Sequence, residues 1–166
     1  MLGRLFLTAL VSQQGLTFYK QQLEREVKYQ AAWTYARHIN KPMLVIGGPW
    51  GGRSHLFKKL FGFKAHGCGD VCLDIDPMSC EGCAYEYGDI RQIPFPDRYF
   101  GSAFNSHILE HMDTVADCEQ AISELHRVSD MVFTCVPSKW SLTAWLHGDH
   151  HLWVTETPEG FIIEQR

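Results

Sequence analysis

The sequence of 166 residues predicts an α/β fold, with a mostly parallel sheet of about five to six strands and helices on its faces. Two observations predict it. Short apolar runs bounded by glycine or proline recur along the chain, and segments with helical spacing lie between them. Such alternation indicates βαβ units, whose right-handed crossovers place parallel strands side by side. A hydrophobic content of 45% allows one sizeable core, so a single compact unit is expected.

The N-terminal segment, residues 1–39, is predicted to be helical. Residues 2–10 have the apolar spacing of an amphipathic helix, which is expected to pack on protein, with peripheral contact at a membrane surface as an alternative. The apolar stretch is far shorter than the ~20 residues that span a bilayer. A second helix is predicted over residues 16–38, where apolar residues recur every four positions and are expected to form one face: Tyr19, Leu23, Val27, Ala31 and Tyr35.

Residues 40–166 are predicted to form the α/β domain. Helices are expected after Gly52 and after Thr114, where the following Asp117 resembles the second residue of a capping box. The apolar runs expected to be strands cover residues 43–46, 71–75, 83–87, 99–106 and 131–136.

Chemically useful residues follow the ends of these strands. In a parallel sheet, ligands bind beyond the carboxyl ends of the strands, where the strand order reverses. Glycines there let backbone N–H groups approach a ligand closely, and an aspartate after the second strand can accept hydrogen bonds from both hydroxyls of a ribose. The sequence therefore predicts an adenosine-type ligand. The prediction rests on Gly47, Gly48, Gly51, Asp74 and Asp89; the strand ends also present Ile90, Asn105 and His107.

Residues 88–112, GDIRQIPFPDRYFGSAFNSHILEHM, resemble a characteristic stretch of the class I S-adenosylmethionine-dependent methyltransferases. The sequence ELHRV at residues 124–128 and the segment 151–163 resemble later parts of that family, so the resemblance covers about residues 40–163. It implies a Rossmann-like fold, S-adenosylmethionine as the cofactor and methyl transfer to a small-molecule acceptor.

The resemblance also implies a role for each strand end. Asp74 would hold the ribose hydroxyls, and Asp89 with Ile90 would meet the adenine. The methionine part of the cofactor would lie along Gly47, Gly48 and Gly51, and the reactive methyl group above Asn105, Ser106 and His107.

Three residues depart from the family pattern. Val45 stands where an acidic residue usually anchors the cofactor's amino group, Pro49 removes a backbone donor from the glycine loop, and Gly101 replaces an aspartate. These departures leave a second function open, a non-catalytic methyltransferase-like binding or assembly module that docks through residues 2–10. For either function, the sheet edge is expected to be covered by the N-terminal helices, by a protein partner or by a second copy of the chain.

His107 is the candidate base that would remove a proton from a hydroxyl or amine acceptor, and His111 is the second candidate. The same segment matches H-x-x-E-H through His107, Glu110 and His111, a zinc metallopeptidase pattern in which a helix holds both imidazoles. Because residues 100–106 are predicted to be a strand that leads directly into this segment, the peptidase is the minor alternative.

A second polar cluster comprises His147, Asp149, His150 and His151. We expect a turn with solvent-exposed imidazoles and assign no metal. The alternative is that the cluster lies beside the first two histidines and forms a substrate wall or a metal site with nitrogen and oxygen ligands.

Composition limits the partners and the compartment. A formal charge of −4 without a long basic run predicts no nucleic-acid partner. The six cysteines are expected to be free thiols in a reducing, cytoplasmic setting. Cys80 and Cys83 have the spacing of half a zinc knuckle, but the nearby pair Cys68 and Cys72 includes a residue of a predicted buried strand.

Overall fold

The computed structural model of the protein describes residues 2–48 and 67–166, with side chains from residue 9 onward. Within these ranges it confirms the predicted fold class, a Rossmann-like parallel sheet of five strands in the order β3-β2-β1-β4-β5 with flanking helices. The helix predicted after Gly52 lies outside the described residues. The strands are β1 Met43–Ile46, β2 Val71–Asp74, β3 Tyr85–Tyr87, β4 Phe100–Ser106 and β5 Ser129–Cys135. The helices are α1 Leu2–His38, α2 Val115–Val128 and α3 Leu142–Leu146, with 3-10 turns at Pro77–Cys80 and Leu109–His111. A separate antiparallel hairpin is formed by β6 Leu152–Thr157 and β7 Gly160–Gln165.

The central strand β1 fixes the position of the ligand-binding edge. Strands β2 and β3 extend the sheet on one side of β1, and β4 and β5 extend it on the other, so the chain order reverses between β1 and β4. Ile46 is in register with both Leu73 and Asn105, and therefore the three neighbouring strands end at the same level. Their carboxyl ends form the crevice where α/β sheets of this kind bind ligands.

Alternate residues of β1 face two separate hydrophobic clusters, as the two-residue period of a strand requires. Leu44 and Ile46 belong to a cluster that includes α2 and the β6–β7 hairpin. Met43 and Val45 belong to a cluster with α1, and Val45 is fully buried there. Both faces of the strand are covered, which explains its continuous apolar sequence.

The N-terminal segment is one helix, and its buried face differs from the predicted one. Tyr19, Leu23 and Val27 are 61%, 52% and 59% exposed. The buried residues of α1 are Arg25, Tyr29, Ala32 and Ala36, and the last three pack against the sheet. The prediction was wrong because a strict four-residue repeat drifts about 40° per step around a helix with 3.6 residues per turn.

Small side chains allow α1 to approach the sheet closely. A Cβ atom on Gly101 of β4 would lie 3.0 Å from the Cα of Ala36. The departure from the family pattern at Gly101 therefore has a structural reason, since a larger residue would push the helix outward.

Helix α1 also reaches the edge strand β5, in line with the expectation that N-terminal helices cover this side of the sheet. Lys28 Nζ donates to the Thr134 carbonyl of β5 at 2.7 Å and to Glu156 Oε2 of β6 at 2.6 Å. Coverage of the edge by a partner or a second copy stays a prediction. Among the described residues, no helix combines the length and the apolar character needed to cross a membrane.

Helix α2 begins where the sequence predicted. Thr114 Oγ1 accepts a hydrogen bond from the backbone N–H of Asp117 at 3.1 Å. At the other end of α2, Arg127 donates to the carbonyls of Ile93 and Phe95, both at 2.9 Å. The helix thereby holds the loop that leads into β4.

The prediction of free thiols was wrong for four of the cysteines. Cys68 forms a disulfide with Cys83, and Cys72 with Cys80, with Cα–Cα distances of 5.3 and 5.9 Å. The parallel pairing of β2 with β3, and the 3-10 turn between them, bring these residues within the range that a disulfide spans. The two free cysteines in the described residues, Cys118 and Cys135, are buried.

Candidate functional site

A cavity of about 350 Å³ lies at the carboxyl ends of β1, β2 and β3. This volume is within the range of small-molecule sites. Most of its wall is apolar, and a few polar groups enter from the strand ends. The predicted residues Gly47, Asp74, Asp89 and Ile90 all line it, together with Ile46, Leu73, Ile75, Gly88, Arg91, Ile108, His111, Met112 and Asp113.

The two glycines that follow β1 have backbone conformations that favour glycine. Gly47 has φ +79° and Gly48 has φ +55°. A Cβ atom would stand 2.1 Å from Ile108 Cδ1 at Gly47 and 1.9 Å from the Ser79 carbonyl oxygen at Gly48. No other residue type fits at either position without displacing the segment packed against it. Gly51, Pro49 and Trp50 lie outside the described residues.

Asp74 ends β2 at the wall of the cavity. Its Oδ1 accepts a hydrogen bond from the backbone N–H of Asp76 at 2.8 Å, which orients the carboxylate. The hydroxyl of Tyr85 on β3 donates to the Asp74 carbonyl at 3.2 Å. Within the described part of the chain, Oδ2 accepts no hydrogen bond, so the second oxygen has capacity for a ligand.

Asp89 is held by Arg91, a residue that the sequence analysis did not select. Both Asp89 carboxylate oxygens accept hydrogen bonds from the guanidinium, at 2.6 to 3.1 Å. These bonds lower the pKa of Asp89. Arg91 also donates to Asp117 at 3.0 Å and thereby ties the cavity to α2. In the sequence, this arrangement is indicated only by opposite charges: Arg91 is positive, and Asp89 and Asp117 are negative.

Asn105 takes a different position from the other predicted residues. Its side chain is fully buried, and Nδ2 donates to Thr134 Oγ1 at 2.8 Å. It is not among the residues that line either of the cavities at this edge.

A second cavity, of about 390 Å³, adjoins the first on the α1 side of β4. Gly47, Ile108 and His111 line both cavities, so the two are in contact at the strand ends. The other residues of its wall are Phe18, Gln21, Gln22, Arg25, Gly48, Ser106, His107, Pro137, Ser141, Thr143, Ala144, His147 and His150.

His107 lines the second cavity and has a left-handed backbone conformation, with φ +58°. This conformation is uncommon for a residue other than glycine and occurs more often at functional sites. The backbone N–H of His107 donates to the Cys135 carbonyl of β5 at 2.9 Å. His107 Nδ1 lies 3.1 Å from Oε1 of the buried carboxylate of Glu110.

The second polar cluster lies beside the first. The ring of His150 is 4.8 Å from that of His111 and stacks on that of His147 at 4.6 Å, between centroids. His150 is 9% exposed, and burial lowers its pKa to about 4. The expectation of solvent-exposed imidazoles was therefore wrong for His150, and the alternative position beside His111 is the correct one. His151 instead points toward Asp113, with Nε2 3.9 Å from Oδ1.

The backbone between the histidines does not have the geometry of an H-x-x-E-H peptidase. His107 follows the last residue of β4, and Leu109–His111 is a single 3-10 turn. The metallopeptidase alternative is therefore wrong, because its two imidazoles require consecutive turns of one helix.

Comparison with known proteins finds a family resemblance over part of the chain. Residues 62–130 match the family model described as a methyltransferase domain. The match covers less than half of the chain, and over that segment the chain is similar to a methyltransferase domain. The resemblance noted in residues 88–112 is confirmed. A comparison with curated protein sequences gave no match.

Solved structures similar to this chain are distant in sequence. A Pyrococcus horikoshii OT3 protein has a TM-score of 0.44 and 14% identity, with 77% of this chain and 69% of that chain covered. The N-methyltransferase NodS from Bradyrhizobium japonicum WM9, in complex with S-adenosyl-L-homocysteine, has a TM-score of 0.38 and 12% identity, with coverages of 64% and 57%. A methyltransferase from Mesorhizobium loti has a TM-score of 0.31 and 19% identity, with coverages of 54% and 43%. The chain spans between 34% and 69% of the first three solved structures that it matches.

The match to a methyltransferase domain indicates S-adenosylmethionine as the cofactor, and the first cavity has the chemistry to hold it. Ile75, Ile90 and Met112 provide apolar surface for a flat ring, and Asp74 provides an oriented carboxylate for hydroxyl groups. The backbone of Gly47 borders the cavity where a Cβ atom has no room. These residues fit an adenosyl group.

Proposed function

We propose that this protein transfers a methyl group from S-adenosylmethionine to a small hydroxyl or amine acceptor that binds in the second cavity. One observation carries the proposal: Gly47, Asp74 and Asp89 line one cavity, and that cavity meets the histidine-lined cavity at Gly47, Ile108 and His111. A methyl donor in the first cavity would therefore lie next to an acceptor in the second.

Each residue of the first cavity has a defined part in this proposal. Asp74 accepts hydrogen bonds from the ribose hydroxyls through the carboxylate that Asp76 orients. Ile90 packs against the adenine, and Asp89, held by Arg91, lies at its edge. The bound cofactor supplies an electrophilic methyl group on a sulfonium.

Methyl transfer requires the acceptor atom to be in line with the methyl group and, for a hydroxyl or amine, a base that removes a proton. His107 lines the acceptor cavity at the strand ends, and its side chain is 30% exposed. Glu110 Oε1, 3.1 Å from His107 Nδ1, can orient the imidazole and stabilise its protonated form. His111, which borders both cavities, is the second candidate base.

Isothermal titration calorimetry with S-adenosylmethionine and S-adenosylhomocysteine tests the cofactor part. We expect micromolar binding of both by the full chain, and a loss of at least about tenfold in affinity for Asp74→Asn. Glu159→Gln, which changes an exposed carboxylate in the β6–β7 turn, is the matched control and should bind normally. Wild-type protein that is folded but binds neither compound would refute the proposal.

The non-catalytic binding module is the second candidate function, and one observation favours it. Val45, at the position where the family has an acidic anchor, is fully buried in the cluster under α1 and has no contact with the cavity. Failure to bind either compound, together with an intact fold, would support the module.

The compartment in which the protein works is a separate question from its activity. The cytoplasmic setting expected from the cysteine pattern is opposed by the two disulfides, because disulfides persist in oxidising compartments. Fractionation of the source cells with antibodies against the protein would decide between the two settings.

A further inference from the structure

Glu110 is a fully buried carboxylate whose oxygens lack hydrogen-bond partners among the described residues. His107 Nδ1 approaches Oε1 at 3.1 Å, and Arg25 interacts with the carboxylate electrostatically. A buried carboxylate is costly unless it is fully hydrogen-bonded, paired or bound to a metal.

Two imidazoles converge on this carboxylate. Three possible ligand atoms lie within 4.8 Å of one another, one each from Glu110, His111 and His150. Ligands around an ion with bonds of about 2.1 Å are about 3 to 3.5 Å apart, so a small inward movement of the side chains would complete the coordination. The nitrogen and oxygen donors match those of transition-metal sites.

One of these two histidines, His111, is held in the way that metal-binding histidines usually are. His111 Nδ1 lies 2.9 Å from the Asp149 carbonyl oxygen, so this nitrogen donates and Nε2 is left with its lone pair. This second contact fixes both the tautomer and the orientation of the ring. His150 is buried, and its Nδ1 has no hydrogen-bond partner in the described part of the chain.

We infer that Glu110, His111 and His150 form a binding site for one divalent transition-metal ion, such as Zn²⁺ or Mn²⁺, in the wall of the second cavity. Three protein ligands leave coordination positions open toward the cavity, where His107 and His147 also lie. An acceptor with an oxygen or nitrogen donor would bind the ion directly. This last role rests on the proposed function, whereas the metal site itself does not.

Metal binding by the full chain tests the inference. The protein is purified in its oxidised form, the affinity tag is removed, and bound metal is stripped with a chelator. Titration with Zn²⁺ and with Mn²⁺ by calorimetry should give one ion per chain with micromolar or tighter affinity. His150→Gln, His111→Gln and Glu110→Gln should each lower the affinity at least about tenfold.

His126→Gln is the matched control, because His126 is an exposed histidine on α2 away from the cavity, and it should leave the affinity unchanged. Circular dichroism establishes that each variant is folded. Absorption bands of the Co²⁺ form report the ligands: nitrogen and oxygen ligands give no intense thiolate charge-transfer band, whereas binding by reduced cysteines would give one.

Two results would overturn the inference: wild-type protein that takes up no stoichiometric metal, or metal binding that persists undiminished in His150→Gln and His111→Gln. Calorimetry with S-adenosylhomocysteine on the same samples separates the two proposals. Cofactor binding without metal refutes the metal site alone, and metal binding without cofactor refutes the proposed methyl transfer alone.

Discussion

A Cβ atom on Gly47 would stand 2.1 Å from Cδ1 of Ile108, so the backbone after β1 and the side chain after β4 touch where the two cavities meet. The change Gly47→Ala should therefore displace this junction and strain a backbone with φ +79°. We expect the affinity for S-adenosylhomocysteine to fall at least about tenfold in calorimetry. Gly15→Ala on α1, where a Cβ atom meets nothing within 4 Å, is the control and should not weaken binding. Equal affinities for Gly47→Ala and wild type would contradict a cofactor role for this turn.

Arg91 should matter for cofactor binding although it was not selected from the sequence. Its guanidinium holds both oxygens of Asp89, and Arg91→Gln would release that carboxylate at the cavity wall. The affinity for S-adenosylhomocysteine should fall about three- to tenfold, the effect of a positioning contact that is partly exposed. Arg98→Gln, which removes a pairing with Asp130 near the amino ends of β4 and β5, should leave the affinity unchanged. A similar loss in both variants would indicate a general effect on stability instead.

His107 should be required for turnover and not for cofactor binding. The change His107→Asn keeps a residue that tolerates the left-handed backbone and removes the imidazole. Formation of S-adenosylhomocysteine in the presence of small hydroxyl and amine compounds should fall about a hundredfold or more. Calorimetric affinity for the cofactor should not change. Undiminished turnover in His107→Asn would show that His107 is not the base. The next variant to measure would then be His111→Asn.

Acid should destabilise the protein in part through Glu124. Arg127 donates two hydrogen bonds to this carboxylate, at 2.6 and 2.8 Å, and thereby lowers the pKa of Glu124. A lowered pKa in the folded state means that the ionised group adds stability above its unfolded pKa of about 4.3 and loses it as the pH falls through the folded pKa.

The change Glu124→Gln should therefore reduce the free energy of unfolding at pH 7 by about 1 to 2 kcal/mol. The difference from wild type should shrink between about pH 5 and pH 3. Urea unfolding across this pH range measures both quantities. Glu119→Gln, an exposed change on the same helix, should give a difference near zero at every pH.

Alkylation of thiols should distinguish the free cysteines from the disulfides. Burial raises the pKa of Cys118 to about 11 and that of Cys135 to about 12, so native protein should react with iodoacetamide very slowly. Protein unfolded without reductant should take up label only at these two cysteines, and reduced protein at all six. Labelling of Cys72 or Cys80 without reductant, read by mass spectrometry of peptides, would contradict the disulfide between them.

Local sequence predicted the elements that depend on neighbouring residues. The continuous apolar run at Met43–Ile46 is a strand buried on both faces, and Thr114 caps α2 as its spacing to Asp117 predicted. Asp74 was found because an aspartate directly after a buried strand must stand at the sheet edge. Sequence could not give the buried face of α1. The hydrophobic residues Leu23 and Val27 point to solvent, and the alanines that face β4 carry little hydrophobic signal.

The sequence by itself determined the order of the five sheet strands and the residues that follow each strand, because periodicity and capping act over a few neighbouring positions. Only the tertiary structure decided which side chains meet. Cys72 pairs with Cys80 across a turn, Arg91 donates hydrogen bonds to Asp89, and His150 is buried against His111. Those contacts depend on how β1 to β5 and α3 pack against one another. Packing is set by the shapes of surfaces far apart in the chain, which no local pattern encodes.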